Sequence, residues 1–410
     1  MASRVSCLFL SALVLACGCV ALPPSEDEAV EAPPPHDPFS VDLGLWDTGI
    51  SFGNAPVWNG LRFNVRDRRI EEINGLNVTL WAPGDCDDSE VNGVAVGLVA
   101  PHAGDLTGAA VGGIAVVAEE DLTGIAAAGI TVVAGDELSG IAAAPIAVVA
   151  EDDLVGLHAA GIANVSGDDM VGIGGALLAT VAEDDMVGIH FGGLATVSGA
   201  DMVGVHAGGL AAVAEGNMVG VDVGLLAVAS HEDMVGIQAA GIGCIAEHDL
   251  TGVHLGGIGV FGGGDVTGIQ VAGLKVAAGM PNADFDLSVA LEIDDDDGAV
   301  EDEGEGDDDS PGAWAARPRD LSGISLAGYR VEAHTLNGLA FGGIITRSMQ
   351  LNGVAIGAWN RVLAEQRGVT FGIVNHAERC SGFAFQLGLL NHVPTNPAWA
   401  RWLPIFNTSF

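Results

Sequence analysis

Between Asp105 and Met280 the apolar and polar positions of the chain repeat every sixteen residues. Numbered from an acid, position two is Leu, Met or Val and position three is Thr, Ser or Val. Position four is always glycine, in Gly108, Gly124, Gly140, Gly156, Gly172, Gly188, Gly204, Gly220, Gly236, Gly252 and Gly268. Position five is apolar, position six varies among Ala, His, Gln, Asp and Gly, and position ten is Ile or Leu without exception. A unit rich in Gly, Val and Ile is a poor helix and a good strand. The pattern predicts one strand over positions two to seven and another over ten to fourteen. The acid-rich phrase at positions fifteen, sixteen and one forms the turn between them. Position six, the polar variable site, is expected to face solvent or a lumen, with apolar positions five and seven turned the other way.

The register runs past the perfect copies. Gly60, Gly75 and Gly93 precede them, and Gly323, Gly338, Gly353, Gly368 and Gly382 follow at fourteen or fifteen residues, which makes about nineteen units of 14–18 residues. Residues 41–104 then read as N-terminal capping units and 105–293 as the regular block. Residues 319–393 read as shorter C-terminal repeats and 394–410 as a C-terminal cap. Position fifteen alternates Glu119, Gly135, Glu151, Gly167, Glu183 and Gly199, a thirty-two-residue period that points to duplication of a pair of units. In a parallel stack this alternation halves a column of like charges.

A fixed period of this length specifies an all-β repeat protein. Two architectures fit: a β-solenoid with one unit per coil, or an antiparallel meander closed into an outer-membrane β-barrel. The terminal Phe410, after Trp402 and Phe406, suits a barrel's closing strand. A membrane barrel also needs aromatic girdles at both interfaces. Between Asp105 and Met280 the aromatics are Phe191 and Phe261 alone, so the solenoid is the expected fold.

Composition adds location and excludes some partners. The net charge is −40, which repels nucleic acid and anionic headgroups. Residues 1–17 carry Arg4 and then an apolar run, Val5 to Ala16, which is too short to span a bilayer as a mature helix and reads as a signal peptide. Ala16-Cys17-Gly18-Cys19 ends it in the manner of a bacterial lipoprotein processing site. That places a lipid on Cys17, with Cys19 as the alternative, and anchors the chain to a membrane. Residues 18–40, rich in Pro and acids, read as a tether. Cys86, Cys244 and Cys380 fit no metal spacing, and one disulfide at most can form among them.

Candidate chemistry is sparse. Asp153, Asp169, Asp185 and Asp201 open consecutive units, and oxygen ligands from stacked turns could hold Ca²⁺, although the spacing of calcium-binding nonapeptide rolls is absent. The simpler role for these acids is to form turns and keep the body soluble. His158, His190, His206 and His254 share position six and are expected as solvent-facing polar residues. Residues 294–318 form an acidic insertion containing Asp294-Asp295-Asp296-Asp297 and Asp307-Asp308-Asp309, expected as a solvated loop. No nucleophile with a local base and no phosphate loop is present, so no enzyme is predicted and no cofactor beyond Ca²⁺.

The C-terminal units carry Gly353-Val354-Ala355-Ile356-Gly357-Ala358-Trp359-Asn360, then Gly368-Val369-Thr370-Phe371-Gly372-Ile373-Val374-Asn375, then Gln386-Leu387-Gly388-Leu389-Leu390-Asn391. These resemble the repeats of bacterial surface-repeat lipoproteins of uncharacterised function, and the sixteen-residue units look like a more acidic form of them. The resemblance implies an outer-membrane lipoprotein exposed on the cell envelope and no activity. The expected role is structural or adhesive display through the regular repeat surface, toward an unidentified surface ligand. A pore-forming barrel and a Ca²⁺-stabilised surface protein are the alternatives.

Overall fold

The computed structural model describes residues 39–68, 70–81, 89–279 and 319–409. Cys17, Cys19, nearly all of the tether, Cys86 and the acidic insertion lie outside the described residues. The protein is a β-solenoid of about 17 turns. Sixteen residues carry the chain once around, so each strand pairs in parallel with its copy in the next coil: Gly140 lies opposite Gly156, and Gly156 opposite Gly172. Parallel pairing between like positions excludes the antiparallel meander, and with it the barrel. The chain divides into two compact units, up to Ala200 and from Asp201.

In the first unit the regular coils from Leu122 onward have a seven-residue and a four-residue strand, as in Leu154–Ala160 and Ala163–Ser166. Two corners join them, a small one at positions nine and ten and the acidic one at fifteen to one. Within the strands positions two, six, eight, twelve and fourteen point inward, and three, five and seven outward, as the pleat requires. Leu138, Leu154, Met170 and Met186 at position two are fully buried, facing Val148 and Ala150 and their equivalents across a thin core. The glycine column explains itself in this stack. Gly156 and Gly172 have φ of 119° and 126°, a region that side chains rarely enter. A Cβ on Gly172 would also overlap the carbonyl oxygen of Gly156, one coil earlier. The unit begins with a reversal: Ser40–Leu45 pairs antiparallel with Thr48–Gly53.

One expectation fails. Position six points into the core: His158, His190, Asn77 and Arg62 on this column are all buried. Positions five and seven face solvent, so Ile125, Ile141, Leu157, Ile173 and Phe191 are exposed. Parity decides this. Position six has the same parity as position two, and the large side chain at two has no other place to go than the core.

The second unit repeats the plan from Met202–Gly208 onward, with Met202, Met218, Met234 and Leu250 as its position-two column. Gly279 and Arg319, the described residues on either side of residues 280–318, both stand at the acidic corner. Gly268 pairs with Gly323 and Ala272 with Ala327 as if nothing intervened. Beyond this point the coils shorten and the break at the acidic corner is lost, while the small corner persists at 328–329, 343–344 and 357–358. The strands lengthen into Arg330–Gly342, Ile345–Ile356 and Trp359–His392. The unit also closes with a reversal, Trp402–Thr408 running antiparallel to residues 385–392. At each end an antiparallel strand interrupts the parallel template on which a further coil would stack.

Candidate functional site

The acid column is a hydrogen-bond ladder. The backbone N–H of Asp169 donates to Oδ1 of Asp153 at 3.1 Å, and that of Asp185 to Oδ1 of Asp169 at 3.0 Å. In the second unit Asp201 accepts from the N–H of Asn217 at 2.7 Å. Asn217 then accepts from Asp233 at 3.2 Å, and Asp233 from Asp249 at 3.0 Å. The column therefore needs a short side chain with an acceptor oxygen, which both Asp and Asn provide. This accounts for the one unit that begins with Asn. Among the described residues no three His, Cys, Asp or Glu side chains converge in a metal-binding arrangement. The alternation at position fifteen is also steric: a Cβ on Gly135, Gly167 or Gly199 would meet the carbonyl oxygen of the Glu one coil earlier.

Column six, expected to face solvent or a lumen, is an interior polar spine. In the first unit it opens with Arg62, which donates to Oδ1 of Asp67 at 2.7 Å and to Oδ1 of Asn77 at 2.8 Å. Four alanines follow, Ala95, Ala110, Ala126 and Ala142, and then His158, whose ring pairs with no other side chain. Burial pushes the His158 pKa down to about 4, so the ring is neutral at pH 7. In the second unit His206 Nδ1 lies 2.9 Å from Oδ1 of the buried Asp222, whose Oδ2 accepts from Gln238 at 3.0 Å. His254 stands further along, its pKa also pushed to about 4 by burial. Ser325 donates to Gln270 at 3.0 Å. The parity of position six with position two was the signal that could have found this spine. None of these groups opens onto a cleft holding a nucleophile and its base.

Cys244 and Cys380 are free thiols. Burial raises Cys244 to about 12 and Cys380 to about 11, so neither forms a thiolate readily at neutral pH.

The outer surface is divided sharply. Every Asp and Glu from Asp105 to Ala200 occupies position fifteen, sixteen or one, so all the negative charge of these coils lies along one corner. Outward positions three, five and seven hold Thr, Ser, Val, Ile, Leu, Ala and Phe, with Gly175 alone lacking a side chain there. The far corner carries exposed Ile114, Ile130, Ile162, Leu178 and Leu194. In the second unit an open apolar groove crosses the C-terminal coils. Its walls include Phe341, Ile356, Phe371, Leu389 and Ile405, and its floor includes Gly357 and Gly372. No protein-family model, characterised protein or solved structure matches this chain.

Proposed function

We propose that the protein is a non-catalytic display protein of the bacterial cell envelope, held to the outer membrane by a lipid on Cys17, or on Cys19 if processing falls there. The observation that carries this reading is the division of labour in the coil. The polar groups that could do chemistry are turned inward or tied into ladders. What faces outward is a regular lattice of small and apolar side chains with an acidic border. Such a surface suits repeated weak contacts with an envelope component or a surface ligand better than turnover of a substrate. The Gly-x-x-Asn phrases of the C-terminal coils support the kinship with surface-repeat lipoproteins on which the location rests.

Cell fractionation combined with protease treatment of intact cells tests the location. The wild-type chain should partition with the outer membrane and be cleaved from outside. Cys17→Ser should release it to the soluble fraction. If Cys17→Ser changes nothing while Cys19→Ser releases the protein, the anchor is Cys19. If the double variant stays membrane-bound, the lipoprotein reading is wrong.

A further inference from the structure

We propose that the outward face of the seven-residue strands is an interface between two copies of this chain, packed sheet on sheet. The first unit carries the argument. Six coils from Asp105 to Ala200 present position five as Ala109, Ile125, Ile141, Leu157, Ile173 and Ile189, flanked at three and seven by small or β-branched residues and by Phe191. Ile125 is 54% exposed and Ile141, Leu157 and Ile173 are 46–48% exposed, although each has a neighbour in the coil above and below. Seven residues at ~3.3 Å by six coils at ~4.8 Å give a face of about 700 Å². That is near the roughly 800 Å² per partner of a standard interface, and above the few hundred Å² that a soluble monomer usually leaves bare. The three earlier coils extend the same face with Leu61, Phe63 and Val94.

Two features select a second copy over other occupants. The first is spacing. The side chains stand in rows ~4.8 Å apart, and only a surface with the same period can seat in the rows along its whole length. In the four coils from Asp121 to Ala182 bulky position five alternates with small position seven (Ala127, Ala143, Ala159 and Gly175), which supplies ridge and furrow for such packing at ~10 Å between sheets. The second is charge. All fourteen Asp and Glu side chains of these coils lie at the acidic corner, and no Lys or Arg lies among them. Face-to-face packing therefore buries no charge, and the acidic corners stay in water. Repulsion between those corners is long-range and screened by salt.

The test is the mass in solution of the full chain bearing Cys17→Ser and Cys19→Ser, so that no lipid contributes and the outcome is independent of the anchoring proposal. Sedimentation equilibrium at micromolar protein should give the mass of two 41.3 kDa chains, with association strengthening as NaCl is raised. Ile141→Lys with Ile173→Lys should weaken dimerisation at least ~100-fold, because two unpaired charges would enter a desolvated face. Their circular dichroism should be unchanged, since both side chains already stand in water. Should that variant misfold, Leu157→Thr with Ile173→Thr keeps strand propensity and should weaken the dimer ~10-fold. A monomer at all concentrations and salts overturns the proposal. So does a dimer indifferent to both variants, or a monomer that floats with phosphatidylcholine vesicles, which would assign the face to lipid.

Discussion

The sixteen-residue coils of the first unit and the short coils that end the second solve one problem in two ways. Both must bury polar side chains inside a core only one side chain deep. In the first unit the inward His158 pairs with no other side chain and stays neutral because burial drives its pKa to about 4. In the C-terminal coils the inward polar column is asparagine, at position twelve. Asn360 donates to Oδ1 of Asn375 at 2.7 Å, and Asn375 to Oδ1 of Asn391 at 2.7 Å. Each amide also reaches a backbone carbonyl, Asn360 that of Phe371 at 2.8 Å and Asn375 that of Leu387 at 3.0 Å. An amide carries donor and acceptor together and can repeat from coil to coil indefinitely. The Asn ladder satisfies its buried groups and ties the corner at Gly357 through Asn360 Nδ2 at 3.2 Å. The comparison teaches that Gly-x-x-Asn is a structural phrase, a corner plus its interior brace.

The largest effect should fall where both regions agree. Gly172→Ala in the first unit and Gly353→Ala in the second each place a Cβ against the carbonyl oxygen of the preceding coil's glycine, at φ of 126° and 155°. Each should cost more than about 4 kcal/mol, since backbone on both sides must move. Thermal unfolding followed by circular dichroism measures it. Similar losses from the two variants would show that the glycine column, and not the local core, sets the coil. A loss confined to one region would break that equivalence.

Next comes the brace. Asn375→Leu keeps volume and removes the amide that links Asn360 to Asn391, leaving buried groups unpaired at a cost of about 3 kcal/mol. Urea denaturation should record this loss equally at pH 7 and pH 5, because no charge is involved. A pH-dependent loss would mean that another group couples to the ladder.

The histidines should behave oppositely. His158 and His254 fall from the ordinary 6.5 to about 4 on folding, with burial as the main cause. A base with a lowered folded pKa binds protons better when unfolded, so its contribution is complete above pH 6.5 and is lost as pH falls toward 4. At pH 5 each should remove about 2 kcal/mol relative to pH 7. His158→Ala gives the residue already present at Ala142 on the same column, and should flatten that part of the slope. An unchanged slope would place the acid sensitivity elsewhere.

Much of this architecture is legible in the residues themselves. The glycine column, the acidic corner and the thirty-two-residue alternation all follow from one coil stacking on its copy, and a period records stacking directly. The facing of position six is not legible from polarity. A hydrophobic count places Ile141 inside and His158 outside, and the structure does the reverse. The reason is parity: position two turns its large side chain into the core, position six shares its parity, and position five turns away. Ile at position five is therefore excluded from it however apolar it is. The Lys275–Glu332 contact at 3.3 Å, with Arg330 and Arg347 also against Glu332 at 3.7 and 3.6 Å, was equally hidden, because the insertion separates its members in sequence.

The smallest effect separates the two roles open to the acid column. As a ladder it needs only an acceptor oxygen, so Asp169→Asn should change stability by less than about 0.5 kcal/mol, as Asn217 already stands in an equivalent place. Asp169→Ala should cost about 1 kcal/mol, one hydrogen bond from the amide of Asp185. Calcium makes the distinction sharper. A cation held by Asp153, Asp169 and Asp185 would use the carboxylate charge itself. Millimolar Ca²⁺ would then raise the Tm of the wild type, and Asp169→Asn would lose most of that rise. Equal Tm values for the two proteins with and without Ca²⁺ would leave the column as a ladder alone. The asparagines of the C-terminal coils and the aspartates of the regular coils would then be two versions of one device, side chains that stitch each coil to the next, one inside the core and one at its edge.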